Sequence, residues 1–263
     1  MDDQQPQFLD VGDGPKRRRI AYRFEDGSGD GPVILWLSGF LSDMAGTKAV
    51  ALRDWARARG HAMLRFDYSA HGLSPGNMLE ASIGDWLEES FAALDLIGNR
   101  PVVIVGSSMG GWIALLIARA FARKRDTRIA GLVLIAPAWD MTEKLMWEKM
   151  SAKTRDKVES EGVYYAPSNY EEPYPITRTL IQEGRNHLIA GGRIDVGAPV
   201  RILQGMRDPD VPWHHALELV DLISGDDVEL TVIKDGDHRL SGPGDLRRLE
   251  AAVAALAANA HGS

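Results

Sequence analysis

Val102-Val103-Ile104-Val105-Gly106-Ser107-Ser108-Met109-Gly110-Gly111-Trp112 reads as a buried strand that runs into a sharp turn and then into a helix. The β-branched run suits a strand that is apolar on both faces. Gly106, Ser108 and Gly110 then occupy the fixed positions of G-x-S-x-G, a strained strand-to-helix turn with a serine at its tip. A Cβ at either flanking position would collide with the neighbouring strand or helix, while the central residue takes up a strained backbone. The expected result is an exposed hydroxyl at a helix N-terminus, where the Met109 N–H and the positive end of the helix dipole meet a developing oxyanion. Ser107 has no glycine on both sides at spacing two, and it reads as a packing hydroxyl.

Outward from this stretch, short β-branched runs alternate with segments of helical period, which predicts an α/β protein: a parallel sheet covered by helices on both faces. Strands are expected at 19–24, 33–38, 62–68, 102–105, 129–135, 200–204 and 229–233, and helices at 44–59, 83–97, 109–123, 214–223 and 245–258. The stretch 138–198 breaks the rhythm, being far longer than a normal connection in such a unit. It is expected to form an inserted cap over a core made of 1–137 and 199–263. Within it, 142–161 has helical period with Leu145, Met146, Met150 and Val158 as apolar positions, and 163–175 is rich in Tyr and Pro.

Composition narrows the chemistry. The chain of 263 residues is 44% hydrophobic and 25% charged, ordinary globular values, and it contains no cysteine. Disulfide frameworks, thiolate nucleophiles and cysteine metal sites are therefore excluded. The net charge of −7 argues against nucleic acid or anionic lipid as partner. The run Lys16-Arg17-Arg18-Arg19 reads as a solvated strand entrance. No apolar run has membrane-spanning length. Met1-Asp2-Asp3-Gln4-Gln5-Pro6 has neither secretory nor transit character, so a cytoplasmic protein is expected.

A serine is a poor nucleophile until a base takes its proton, so a histidine oriented by a carboxylate is required elsewhere, in the order Ser, acid, His. Gly205-Met206-Arg207-Asp208-Pro209-Asp210-Val211-Pro212-Trp213 offers Asp208 as the acid, with Asp210 as its rival. After the last expected strand, Lys234-Asp235-Gly236-Asp237-His238-Arg239 puts His238 on a loop at the carboxyl end of a strand, where sites of α/β sheets collect. His214 and His215 read as surface or rim residues, and His61, His187 and His261 as surface residues. With no H-E-x-x-H and no histidine pair at i, i+4, no metal site is expected. Gly39-Phe40-Leu41-Ser42-Asp43 follows a strand and offers the Phe40 N–H as a second oxyanion donor, with Asp43 as a helix cap. Asp67, His71 and Ser74 sit on a tight, glycine-punctuated loop and read as structural.

These motifs, in this order, resemble the α/β-hydrolase superfamily from Arg19 to the C-terminal helix. Within it the chain resembles the branch of palmitoyl-protein thioesterases and acyl-glucuronide esterases called α/β-hydrolase domain-containing protein ten, with its bacterial relatives. The matching stretches include Gly39-Phe40-Leu41-Ser42, Gly46-Thr47-Lys48-Ala49, Arg65-Phe66-Asp67-Tyr68-Ser69 and Gly106 to Trp112. In the expected cap they are Glu161-Gly162-Val163 and Pro167-Ser168-Asn169-Tyr170, followed by Val211-Pro212-Trp213-His214 and Asp237-His238-Arg239. Departures are the lack of cysteine, the lack of an organelle-type presequence, and Ser38 before Gly39 where His or Pro is common. The resemblance implies an α/β-hydrolase fold, with Ser108 as nucleophile, Asp208 as acid and His238 as base, in agreement with the residue reading.

The expected activity is hydrolysis of carboxylic esters or thioesters through an acyl-enzyme, with an apolar acyl group on a small-molecule or acylated-protein substrate. No metal or organic cofactor is required. Trp139, Met146, Trp147 and Met150 are expected to line an acyl groove, together with Met141 and Leu145; docking of the cap is the other role these residues suit. A small-molecule carboxylesterase, acyl-glucuronide esterase or carbon–carbon bond hydrolase with the same triad is the alternative, and a catalytically silent binding module is the third reading.

Overall fold

The computed structural model describes residues 5–167 and 173–259. Ser168, Asn169 and Tyr170 of the family-like stretch, and His261, lie outside the described residues. In chain order the strands are β1 (Gln7–Val11), β2 (Arg18–Glu25), β3 (Val33–Leu37), β4 (Met63–Phe66), β5 (Val102–Ser107), β6 (Ile129–Ile135), β7 (Val163–Ala166), β8 (Tyr174–Thr177), β9 (Val200–Gly205) and β10 (Val228–Ile233). The α-helices are α1 (Thr47–Ala58), α2 (Ile83–Ile97), α3 (Met109–Lys124), α4 (Ala152–Glu161), α5 (Arg178–Gly184), α6 (Trp213–Leu222) and α7 (Pro243–Asn259).

All strands but β7 and β8 join one sheet in the order β1-β2-β4-β3-β5-β6-β9-β10. From β4 to β10 the pairs are parallel; β1 with β2 and β2 with β4 are antiparallel, so the sheet is mixed at one edge. The reason β3, β5 and β6 are mainly apolar on both faces is visible in how their residues divide. Side chains alternate between faces, so Val33, Leu35 and Leu37 join one core with Val102, Ile104, Leu132 and Leu134. Ile34 and Trp36 join the other with Val103, Val105, Val133 and Ile135. Helices α2, α3 and α6 cover the first face through Trp86, Trp112 and Leu219. Helices α1 and α7 cover the second through Leu52, Trp55, Val253 and Leu256.

β1 was not expected. It is five residues long, mostly exposed and interrupted by Asp10, so it carries too little alternation to read as a strand, and pairing with β2 creates it. The basic run beside it is not simply solvated. The Arg18 side chain is only 15% exposed, and its guanidinium reaches the fully buried Glu89 at 2.7 Å, Asp85 at 3.3 Å and Glu88. β2 is thereby tied to α2.

Residues 138–198 contribute no strand to the main sheet among the described residues. The single helix expected over 142–161 is two pieces. Met141–Trp147 forms a π-helical turn, with Glu148 N–H donating to Glu143 O at 2.8 Å, and α4 begins after Ser151, whose hydroxyl caps Thr154 N–H. β7 and β8 form an antiparallel ribbon in which Tyr165 pairs with Pro175, and α5 follows with Thr177 as its cap. The buried Asp140 carboxylate anchors the segment by accepting the N–H groups of Ile189 and Ala190, both at 2.8 Å.

Candidate active site

β5 ends at Ser107, and Ser108 follows in a backbone conformation of φ 54° and ψ −116°, unfavourable for any side-chain-bearing residue. Two glycines make the turn possible. A Cβ at Gly106 would lie 2.3 Å from Gly110 O in α3, and one at Gly110 would lie 2.2 Å from Leu37 O in β3. The turn is held by Ser108 N–H donating to Ile135 O at 2.8 Å and by Gly111 N–H donating to Ser108 O at 2.9 Å. Ser108 sits at the start of α3, next to Met109, and with Ser107 it lines a cleft of about 690 Å³.

The acid and base candidates arrive from the ends of β9 and β10. Asp208 is fully buried in its side chain and His238 is 20% exposed, and Asp208 Oδ2 meets His238 Nδ1 at 2.8 Å. Asp208 Oδ1 accepts the N–H groups of Asp210 (2.9 Å) and Val211 (2.8 Å), and Oδ2 also accepts Gln204 Nε2 at 3.2 Å. All four lone-pair directions of the carboxylate are thus engaged. A carboxylate accepts only, so His238 donates from Nδ1 and its Nε2 is left as the proton acceptor. Asp210 has its carboxylate within 4.8 Å of both groups and lines the cleft, but it meets Asp208 through its backbone N–H. His238 and Ser108 line the same cleft; among the described residues no hydrogen bond joins Ser108 Oγ to His238. Such bonds often form only around a bound substrate.

The loop after β3 presses on the turn from the other side, where a Cβ on Gly39 would stand 3.3 Å from that of Ser108. Phe40 lines the cleft, with its ring 6.0 Å from Tyr174, 5.9 Å from Trp86 and 6.2 Å from His71. Asp43 does not cap α1. Its Oδ1 accepts Ala45 N–H at 2.8 Å in a turn, and Gly46 is the cap. Asp67 and Ser74 hold this region together: Asp67 accepts Met44 N–H (2.6 Å) and Leu73 N–H (2.8 Å), while Ser74 Oγ donates to Asp67 O (2.6 Å) and accepts Ala21 N–H (2.8 Å).

The expected groove residues divide. Met146 lines the cleft with Met141 and Leu145, all three presented by the π-helical turn. Trp139, Trp147 and Met150 are not among the lining residues. Trp139 is 1% exposed and stacks on His215 at 4.3 Å, and Trp147 and Met150 pack against Ala166, Ile176 and Ile181. Bulk and apolarity alone did not tell which of these face the cleft.

His215, expected at the surface, is buried. Its Nε2 donates to Trp139 O at 2.9 Å, Trp139 Nε1 donates back to His215 O at 2.9 Å, and burial pulls its pKa down to about 4. His214 is exposed, whereas His61 and His187 are half-buried, the first stacked on Trp55 and the second 2.6 Å from Glu183.

Tyr174 and Lys48 are lining residues the sequence reading missed. Tyr174 lies near the end of the Tyr/Pro-rich stretch, whose strand-like pairing has no clear sequence signal. Lys48 lies on the exposed-looking first turn of α1, yet its Nζ donates to Arg239 O beside His238, and burial lowers its pKa to about 8.

Residues 32–179 match the family described as serine aminopeptidase, S33 (Hydrolase_4). Palmitoyl-protein thioesterase ABHD10, mitochondrial, of Bos taurus is 36% identical over 225 residues, covering 84% of this chain and 71% of the relative. A solved protein of Agrobacterium vitis S4, provisionally named a hydrolase, is 42% identical with a TM-score of 0.93, covering 96% of this chain and 98% of that one. Alpha/beta hydrolase domain-containing protein 10 from mouse is 32% identical with a TM-score of 0.84, again over 96% of this chain and 98% of that one.

Proposed function

Because the chain belongs to the Hydrolase_4 family of α/β hydrolases, alongside the ABHD10 thioesterases, and is therefore an ester or thioester hydrolase, we propose that Ser108, His238 and Asp208 carry the reaction. His238 Nε2 takes the Ser108 proton as Oγ bonds to the acyl carbon, and the N–H groups of Phe40 and Met109 bind the oxyanion. His238 then gives the proton to the leaving sulfur or oxygen, the bond to it breaks, and an acyl-enzyme remains. Water, deprotonated by the same nitrogen, releases the acid. Asp208 holds the imidazole tautomer and stabilises the imidazolium.

The observation that carries this reading is the 2.8 Å contact between Asp208 Oδ2 and His238 Nδ1 on the wall of the cleft that Ser108 also lines. The inserted segment 138–198 acts as the cap, and Met141, Leu145, Met146 and Tyr174 receive the acyl chain. Ser42, Thr47 and Ser241, also lining the cleft, are polar groups suited to the leaving group. A palmitoyl-type thioester fits this mixed lining.

The test is a panel of thioesters and oxygen esters of graded acyl length, run on the wild type and on Ser108→Ala. Each buried methylene contributes about 0.8 kcal/mol, so kcat/KM is expected to rise roughly three- to fourfold per CH₂ until the groove is filled. Ser108→Ala is expected to lose at least about 10³-fold in kcat on every substrate. Retained turnover in that variant defeats the assignment. A flat or short-chain optimum removes the acyl groove and leaves the small-molecule esterase, which the mixed polar lining also suits.

A further inference from the structure

His71 is a buried side chain that the reaction as written does not use. It is 4% exposed, lies outside the cleft lining, and has both ring nitrogens committed. Nδ1 lies 3.0 Å from Ser69 O, and Nε2 lies 3.0 Å from the backbone N of Leu41. A carbonyl can only accept and an amide N–H can only donate. The ring is therefore neutral, with its proton on Nδ1 and its lone pair on Nε2 directed at Leu41.

Leu41 directly follows Phe40, whose N–H is the second oxyanion donor in the proposed reaction. Its backbone has φ 55°, a left-handed conformation that a leucine adopts only when its surroundings enforce it. Its own side chain supplies little of that enforcement, since it is 51% exposed. The local turn bond, Ser42 N–H to Gly39 O at 3.1 Å, closes the loop without fixing Leu41 N–H. The acceptor for that N–H is His71. The imidazole itself has little freedom, being wedged against Trp86 at 5.2 Å, Tyr68 at 5.8 Å and Phe40 at 6.2 Å. Ser69, whose carbonyl accepts the Nδ1–H hydrogen bond, is fixed in turn by donating its N–H to buried Glu89 at 2.9 Å.

We infer that His71 is a positioning residue for ester hydrolysis: its neutral imidazole accepts Leu41 N–H and so keeps the Phe40 N–H aimed at the oxyanion. This rests on the proposed roles of Ser108 and Phe40. It also makes the loop that reads as merely structural in the sequence a determinant of rate.

Two variants and one spectrum test it. Gln at 71 has an amide oxygen that reaches as far as Nε2 and accepts Leu41 N–H. Asn at 71 reaches only as far as Nδ1 and leaves Leu41 without its acceptor. His71→Asn is expected to lose about 10²-fold in kcat, the scale of losing one oxyanion donor, with KM within about twofold of wild type. Affinity for an acyl trifluoromethyl ketone, which forms a tetrahedral oxyanion on Ser108, falls in parallel. His71→Gln is expected to recover to within about tenfold of wild type. Equal activity of the Asn and Gln variants, or a loss confined to KM, overturns the inference. In the wild-type protein the imidazole ¹⁵N signals of His71 are expected to report a neutral Nδ1–H ring near neutral pH; a cationic ring or the other tautomer also overturns it. Retained activity in Ser108→Ala defeats the proposed reaction itself, whereas a dead Ser108→Ala beside a fully active His71→Asn defeats this inference alone.

Discussion

At Gly110 the room for one more carbon atom is missing. A Cβ there would overlap the carbonyl oxygen of Leu37 at 2.2 Å, and neither atom can move without shifting β3 against α3. Gly111, one residue on, would meet Cβ and Cα of Pro137 at 3.0 and 3.1 Å, a milder contact that asks the neighbour to give by a few tenths of an ångström. Gly110→Ala is therefore expected to cost more than about 4 kcal/mol or to prevent accumulation of folded protein, while Gly111→Ala costs about 1–2 kcal/mol. Urea unfolding of the two variants side by side checks the contrast, and equal losses would mean that the backbone yields more easily than packing implies. Positions of this kind are legible in a sequence because their need is local: glycine at spacing two around a serine has few other uses. The order of Asp208 and His238 is legible for a related reason, since each lies on the loop that follows a strand. Tyr174 was not, because what brings it to the cleft is pairing across the ribbon of β7 and β8 rather than anything in its own neighbourhood.

Elements add what single residues do not carry. The segment 138–198 is docked on α6 partly by the paired bonds between Trp139 and His215. His215 has a folded pKa of about 4 against 6.5 when free. As pH falls below 6.5 the unfolded chain takes the proton first, so stability declines until about pH 4 and then levels off, by roughly 3 kcal/mol in all. His215→Phe keeps a ring on Trp139 and has nothing to titrate. Its stability is expected to fall less steeply than that of wild type between pH 6.5 and 4, as measured by denaturant unfolding at each pH; parallel curves would show that the docking is insensitive to this proton. The helical period of 142–161 was visible in the sequence, but the π-helical turn was not. An i to i+5 bond leaves the apolar spacing nearly unchanged while moving Met141, Leu145 and Met146 onto the cleft side.

For the molecule as a whole, the alternation of β-branched runs with helical segments conveyed the sheet and its two covering layers, because burial on both faces demands continuous apolar strands. Its antiparallel edge was hidden, since β1 is short and half polar. That edge also holds a largely buried ionic contact between sheet and helix. Arg18 on β2 links to Glu89 on α2, and Glu89 is completely buried. Removing the guanidinium strands that carboxylate, so Arg18→Met is expected to cost about 3–5 kcal/mol, with most of the loss recovered in the double variant Arg18→Met, Glu89→Leu. A thermal-denaturation cycle of the single and double variants measures this. A small effect in the single variant would mean that water reaches Glu89.

β6 and β9 lie side by side, Leu132 beside Val200 and Ile135 beside Leu203, and 138–198 departs from one and returns to the other. Its two stems are thus adjacent at the scaffold's rim. A change of length between them therefore does not by itself require β6 and β9 to move apart. If the segment is the proposed cap, descent with modification can accordingly alter it while the residues at the strand ends are inherited unchanged.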